Sequence, residues 1–148
     1  MKNNKKGFTL VELLAVIVIL AVVILIAVTA VIPRMNKAKK NAFKDEALAF
    51  IKAANEKSVL EEQGDGLCYL VNDLVGQYID KKDMTYTGVV FRATANDEWK
   101  IEIKQSSGEK FTIKGASSTN PGLTSAEVKD LAVGSVTKDG SLNKTTCS

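Results

Sequence analysis

A single carboxylate stands in the most apolar stretch of this chain. From Phe8 to Ile32 there are 25 residues, and only Glu12 among them is charged. Placing such a group at the centre of a bilayer costs about 3 kcal/mol on insertion scales. Its presence there calls for a partner, and makes it a functional candidate. A short basic leader with Lys2, Lys5 and Lys6, closed by Gly7, precedes the run. The other residues able to do covalent chemistry are Cys68 and Cys147, both beyond the run. Two cysteines in an exported domain read as one disulfide, and in a cytosolic domain as two free thiols. Closing a loop of that length contributes at most about 4 kcal/mol in the chain-entropy picture.

The chain has no histidine. It therefore lacks the commonest general base and the commonest metal ligand. Its acidic residues are scattered, and no glycine-rich loop suited to phosphate appears. No catalytic residue, cofactor or metal is expected, and the chain does not read as an enzyme. Asp139, Ser141 and Asn143 are possible oxygen ligands for calcium, but without further carboxylates nearby they read as a polar tail. Tyr86, Trp99 and Phe111 could line a ligand site; at strand spacing they read as core. The net charge of +3 is split: residues 1–44 hold eight Lys/Arg against one Glu, and residues 45–148 hold twelve against sixteen Asp/Glu. Arg34, Lys37, Lys39, Lys40 and Lys44 cluster just past the apolar run. There they read as a solvated helix face beside lipid headgroups, and no nucleic-acid partner is expected.

These residues must be positioned by a helix. As a helix the run Phe8–Ile32 is about 37 Å long, enough to cross a hydrocarbon core of about 30 Å. Its Val and Ile are middling helix formers in water, but in lipid the backbone must bond to itself. Pro33 cannot donate to the carbonyl of Thr29, which predicts a kink or local opening. Beyond it the pattern becomes amphipathic: Met35, Ala38, Ala42, Phe43, Ala47, Phe50, Ile51 and Ala54 recur at steps of three and four. The spacing predicts one helix from Phe8 to about Glu62, stopped near Gly64. Asp73 is expected to cap a short helix through Leu74, Val75, Tyr78 and Ile79. Three strands follow: Tyr86–Arg92, Trp99–Lys104 and Phe111–Lys114, with turns at Asn96-Asp97 and Ser106-Ser107-Gly108. In the second strand Lys100, Glu102 and Lys104 alternate with the core residues. Thr124 and Glu127 form a capping box for a helix to about Leu131. The tail from Gly134 is polar and would be loose by itself; Cys147 is the expected tether that prevents this. The fold class is α+β: a long N-terminal helix packed on an antiparallel sheet of about three strands.

The leader and the run together resemble the N-terminus of type IV pilins and of pseudopilins, on Gly7, Phe8, Thr9, Leu10 and Glu12. The resemblance implies a leader at 1–7, a membrane and filament-core helix at 8–33, and an exported head at 34–148. It implies cleavage after Gly7 by a prepilin peptidase, N-methylation of Phe8, and residence in the cell membrane before export to a surface filament. Gly7, without a side chain, lets the protease reach the peptide in extended form. The implied partners are further pilin subunits, an assembly motor with its membrane platform, and lipid before assembly. Glu12 is then poorly paired in the lone subunit and meets the N-terminal amine of a neighbour in the filament. Helix melting around Thr29–Pro33 also follows. The implied function is a pilus subunit for adhesion, surface motility or aggregation. Alternatives are a pseudopilin of type II secretion or DNA uptake, and a membrane-tethered binding domain that does not polymerise. An ordinary signal peptide cut after Val28-Thr29-Ala30 is a further reading, against which the run is longer than usual.

Overall fold

The computed structural model describes residues 8–61, 64–80 and 84–147. The chain divides into two compact units, one ending at Ala38 and one beginning at Lys39. Helix α1 (Leu10–Leu60) runs through Pro33 without interruption. The expected opening at Pro33 is thus absent from the isolated chain. Proline there removes one donor at a real cost, and the helix persists because its other backbone bonds are internal. The Thr29 hydroxyl bonds back to the Ile26 carbonyl at 2.9 Å in the turn before it.

The second unit is an α+β head. Strand β1 (Cys68–Leu70) leads into helix α2 (Val71–Leu74), and β2 (Tyr86–Phe91), β3 (Lys100–Gln105) and β4 (Phe111–Ile113) follow. Strand β5 (Leu123–Thr124), helix α3 (Ser125–Asp130), a 3-10 turn at Val133–Ser135 and β6 (Thr137–Lys138) complete it. The sheet is antiparallel, in the order β1-β2-β3-β4-β6. The far edge of β3 is shared: β4 pairs with Ile103 and Lys104, β5 with Lys100 and Ile101. Six strands stand where three were expected. Those missed have two or three residues each, too few to show a period of two.

The core lies between the sheet and the later part of α1. Phe43, Ala47, Phe50, Ile51, Ala54 and Ser58 are buried, one face of a helix. Phe43 meets Phe111 with ring centroids 5.9 Å apart, and Phe50 meets Tyr86 edge-on at 5.0 Å. Trp99 stacks on Tyr69 and donates its indole N–H to Asn55 of the helix at 3.2 Å. Tyr86, Trp99 and Phe111 are therefore core. Met35, Ala38 and Ala42 are exposed, so the buried stripe begins later than the spacing suggested, at the first helix residue that meets a strand side chain. The Tyr86 hydroxyl donates to Glu46; burial, then the Glu46 charge, push it above the ordinary tyrosine range.

Other expectations needed correction. Helix α2 ends at Leu74, and Asp73 does not cap it: Leu70 precedes the helix with no side-chain bond. Gly76 turns the chain at φ +93°, and its N–H donates to the Ile79 carbonyl. Glu102 points outward from β3 as the alternation requires, yet it is fully buried. The tail is held by more than its Cys147 tether. Strand β6 pairs with β4, the Thr112 hydroxyl donates to the Gly140 carbonyl, and Asn143 and Lys144 bond to Glu102. The capping box is as expected, with Thr124 accepting from Glu127 N–H and Glu127 from Thr124 N–H.

Gly88 faces Ile103 across β2 and β3 at φ +137°, and a Cβ there meets the Glu102 carbonyl oxygen at 2.0 Å. Gly88→Ala is expected to destabilise the head by about 3 kcal/mol or more. Gly64→Ala, where a Cβ enters open space, should change stability by less than about 0.5 kcal/mol. Denaturant unfolding followed by Trp99 fluorescence compares the two.

Candidate functional site

The candidate site is the start of α1 and the apolar face that follows it. The first turn of any helix leaves backbone N–H groups without partners, and attracts negative charge. Thr9 and Glu12 answer both needs. The Thr9 N–H donates to Glu12 Oε2 at 2.8 Å and the Thr9 hydroxyl donates to the same oxygen at 2.9 Å. In return the Glu12 N–H donates to Thr9 Oγ1 at 3.3 Å, and Leu13 N–H reaches the Thr9 carbonyl at 3.2 Å. This is a reciprocal capping box. It corrects the expectation of a poorly paired carboxylate in the lone subunit: Oε2 is already held by its own chain. Among the described residues Oε1 has no hydrogen-bond donor, so one oxygen remains for a cation. The Thr-x-x-Glu spacing is the sequence signal for this pair, the same signal that Thr124 and Glu127 carry.

Apart from Thr9 and Thr29, the described residues around this carboxylate and on to Ile32 are apolar and exposed. Phe8 is 90% exposed, and every residue from Thr9 to Ile32 is exposed as well. The helix is long and apolar enough to cross a membrane by length and composition. Gly7 and the leader lysines lie outside the described residues.

The basic cluster past Pro33 is not one solvated face. Lys39 pairs with Glu109 at 2.7 Å, and Lys138 binds the other oxygen of that carboxylate. Lys40 donates to the Val133 carbonyl, and Lys44 to the carbonyls of Lys129 and Leu131 at 2.9 and 2.7 Å. Lys44 thus closes the C-terminal end of α3, where carbonyls lack helical partners. Arg34 and Lys37 are exposed. Cys68 and Cys147 are joined by a disulfide with Cα atoms 5.4 Å apart. Of the residues named for calcium, Asn143 is spent on Glu102 and on the Gly115 carbonyl.

Residues 2–28 match the prokaryotic N-terminal methylation motif. The chain therefore carries the class III signal peptide of type IV pilins, on an α+β architecture consistent with a pilin-like fold. That motif points to a structural protein, to processing by a prepilin peptidase, and to a membrane-anchored, then surface-exposed, pilus protein. No curated protein and no solved structure matches the chain.

Thr9→Val removes the hydroxyl from both of its bonds with Glu12 and should destabilise the first turn by about 1 kcal/mol. Faster amide exchange at Glu12 and Leu13 in detergent micelles is the expected readout. In the head, hydrogen bonds from Lys138 and then Lys39 lower the Glu109 carboxyl from its ordinary 4.5 to about 2. The folded value lies below the unfolded one, so the pairing is present in full above about pH 4.5 and is lost as pH falls through about 2. Wild type and Glu109→Gln should therefore differ in stability at pH 6 and converge near pH 2.

Proposed function

We propose that this chain is a structural subunit of a type IV pilus-like filament. It is cut after Gly7, N-methylated at Phe8, held as a single-pass protein by the apolar helix, and then packed into a helical fibre through that helix. The observation that carries the reading is an all-round exposed apolar helix whose lone carboxylate is fixed at its first turn. Such a surface is stable in lipid or among other helices, and not in water.

Glu12 serves two stages in this reading. In the membrane its Oε2 is satisfied by Thr9, which lessens the cost of holding a charge among apolar groups. On docking, Oε1 meets the N-terminal amine of a neighbour and sets axial register, the best-attested use of a buried ion pair. Packing of Val, Ile and Leu side chains supplies the association energy, since lipid is as apolar as they are. Pro33, together with the Thr29 back-bond, is the place where the helix melts if the fibre requires it. The exposed head then carries adhesion, surface motility or aggregation.

The mature N-terminus tests the first step. A chain beginning at N-methylated Phe8, about 14 Da heavier than the bare cut product, is expected by mass spectrometry and N-terminal sequencing. A start at Val31, or an intact Met1, overturns the reading. Glu12→Ala tests the second step. Surface filaments should fall by about tenfold or more, as when one partner of a buried pair is removed. Unchanged surface display with no filament in wild type would instead indicate a tethered binding domain. A periplasmic or wall-spanning fibre needed for secretion or DNA uptake would indicate a pseudopilin.

A further inference from the structure

The head contains a fully buried carboxylate that the filament reading does not use. Glu102 lies on β3 where its edge partner changes from β4 to β5. The chain leaves the sheet there as a loop from Gly115 to Gly122 whose two ends approach closely. A Cβ on Gly115 would lie 2.4 Å from the Gly122 nitrogen. Both ends point an N–H at Glu102 Oε1, Gly115 at 3.0 Å and Gly122 at 3.1 Å. Three further donors come from the C-terminal tail. The Asn143 side chain reaches Oε1 at 3.0 Å, and the backbone N–H groups of Asn143 and Lys144 reach Oε2 at 2.8 and 2.7 Å. Among the described residues five donors converge on one carboxylate. That set suits the anion, and charge-assisted bonds of this kind are the strong ones.

The tail held in this way is a strap across the outer face of the sheet. It leaves β6 at one edge, passes Thr112 with Gly140, crosses Glu102 on the central strand, and ends at Cys147 on β1 at the other edge. The register places Cys68 opposite Phe91, and Phe91 opposite Lys100, so Cys68 and Glu102 share the outer face. Lys144 lies over the Phe91 ring, at 5.8 Å, between them. Cys68 is two strand spacings and two residues from Glu102, about 12 Å. Cys147 lies three residue steps beyond Lys144, a span of at most about 11 Å. Pinning Lys144 therefore keeps Cys147 within one short tether of Cys68, on the same face of the sheet.

We propose that Glu102 is a positioning residue for the Cys68–Cys147 bond: it docks the C-terminal strap on the folded sheet, and docking precedes and does not require the disulfide. The inference is independent of what the filament does. Oxidation then joins two sulfurs already held together, rather than the ends of a long open loop.

The test uses the full-length chain in detergent micelles, equilibrated with reduced and oxidised glutathione. One glutathione disulfide accepts two electrons from the Cys68 and Cys147 thiols, their protons pass to the products, and two glutathione thiols result as the protein bond forms. Glu102→Gln places an amide NH2 against N–H donors whichever way it turns. It should lower the effective concentration of the two thiols by about tenfold or more, with the amides of β2 and β3 still protected from exchange. An unchanged effective concentration overturns the proposal. The double variant Cys68→Ser, Cys147→Ser keeps Glu102 and decides the matter if Glu102→Gln unfolds the sheet. Its Asn143 and Lys144 amides should remain protected; free exchange there would mean that the disulfide alone holds the strap.

Discussion

One 51-residue helix has to satisfy two different surroundings, and the chain owns only one of them. The single sheet covers α1 from Phe43 to Ser58. From Phe8 to Ile32 the helix has apolar side chains on every side and no covering among the described residues. A helix can tolerate that because its backbone groups bond internally, which leaves only side-chain surface to be satisfied. That surface must be covered by lipid or by other helices. On the proposed function, membrane residence and polymerisation are two answers to one constraint, and exchange between them needs no new core.

The lone carboxylate is compatible with both answers because it belongs to the helix start. Thr9 and Glu12 satisfy N–H groups that any helix leaves open at its first turn, and the partial positive charge there favours an anion. A charge placed mid-helix among the valines would have had neither benefit. The position of Glu12 is thus explained by backbone electrostatics before any partner is invoked.

The head solves a different problem. Its core is thin, since one helix face and one sheet face supply nearly all of it. Polar fasteners do much of the remaining work: Lys44 on the end of α3, Glu109 between Lys39 and Lys138, Glu102 beneath the strap, and the disulfide at the strap's end. The strap also turns the outer face of the central strand into an interior. Val89, Glu102 and Thr112 are buried on that account, although they lie opposite the main core.

The periodic and local features of this protein were legible in the sequence. The apolar run, the switch to an amphipathic stripe, strands β2, β3 and β4 and the Thr124–Glu127 cap each depend on residues within a few positions of one another. So does the methylation motif, where charge, glycine and carboxylate sit at short spacing. Burial of Glu102 was not legible, because alternation along β3 reports only direction, and what covers the outer face arrives from forty residues away. The fate of Lys39, Lys40 and Lys44 was likewise hidden, since their partners are 70 to 93 positions distant. Short strands such as β5 and β6 form only because a longer strand offers them an edge. The sequence by itself determined which segment must leave water and where its one charge can stand. Only the tertiary structure decided which polar groups are locked inside the head, because a buried charge is set by donors brought together from distant parts of the chain.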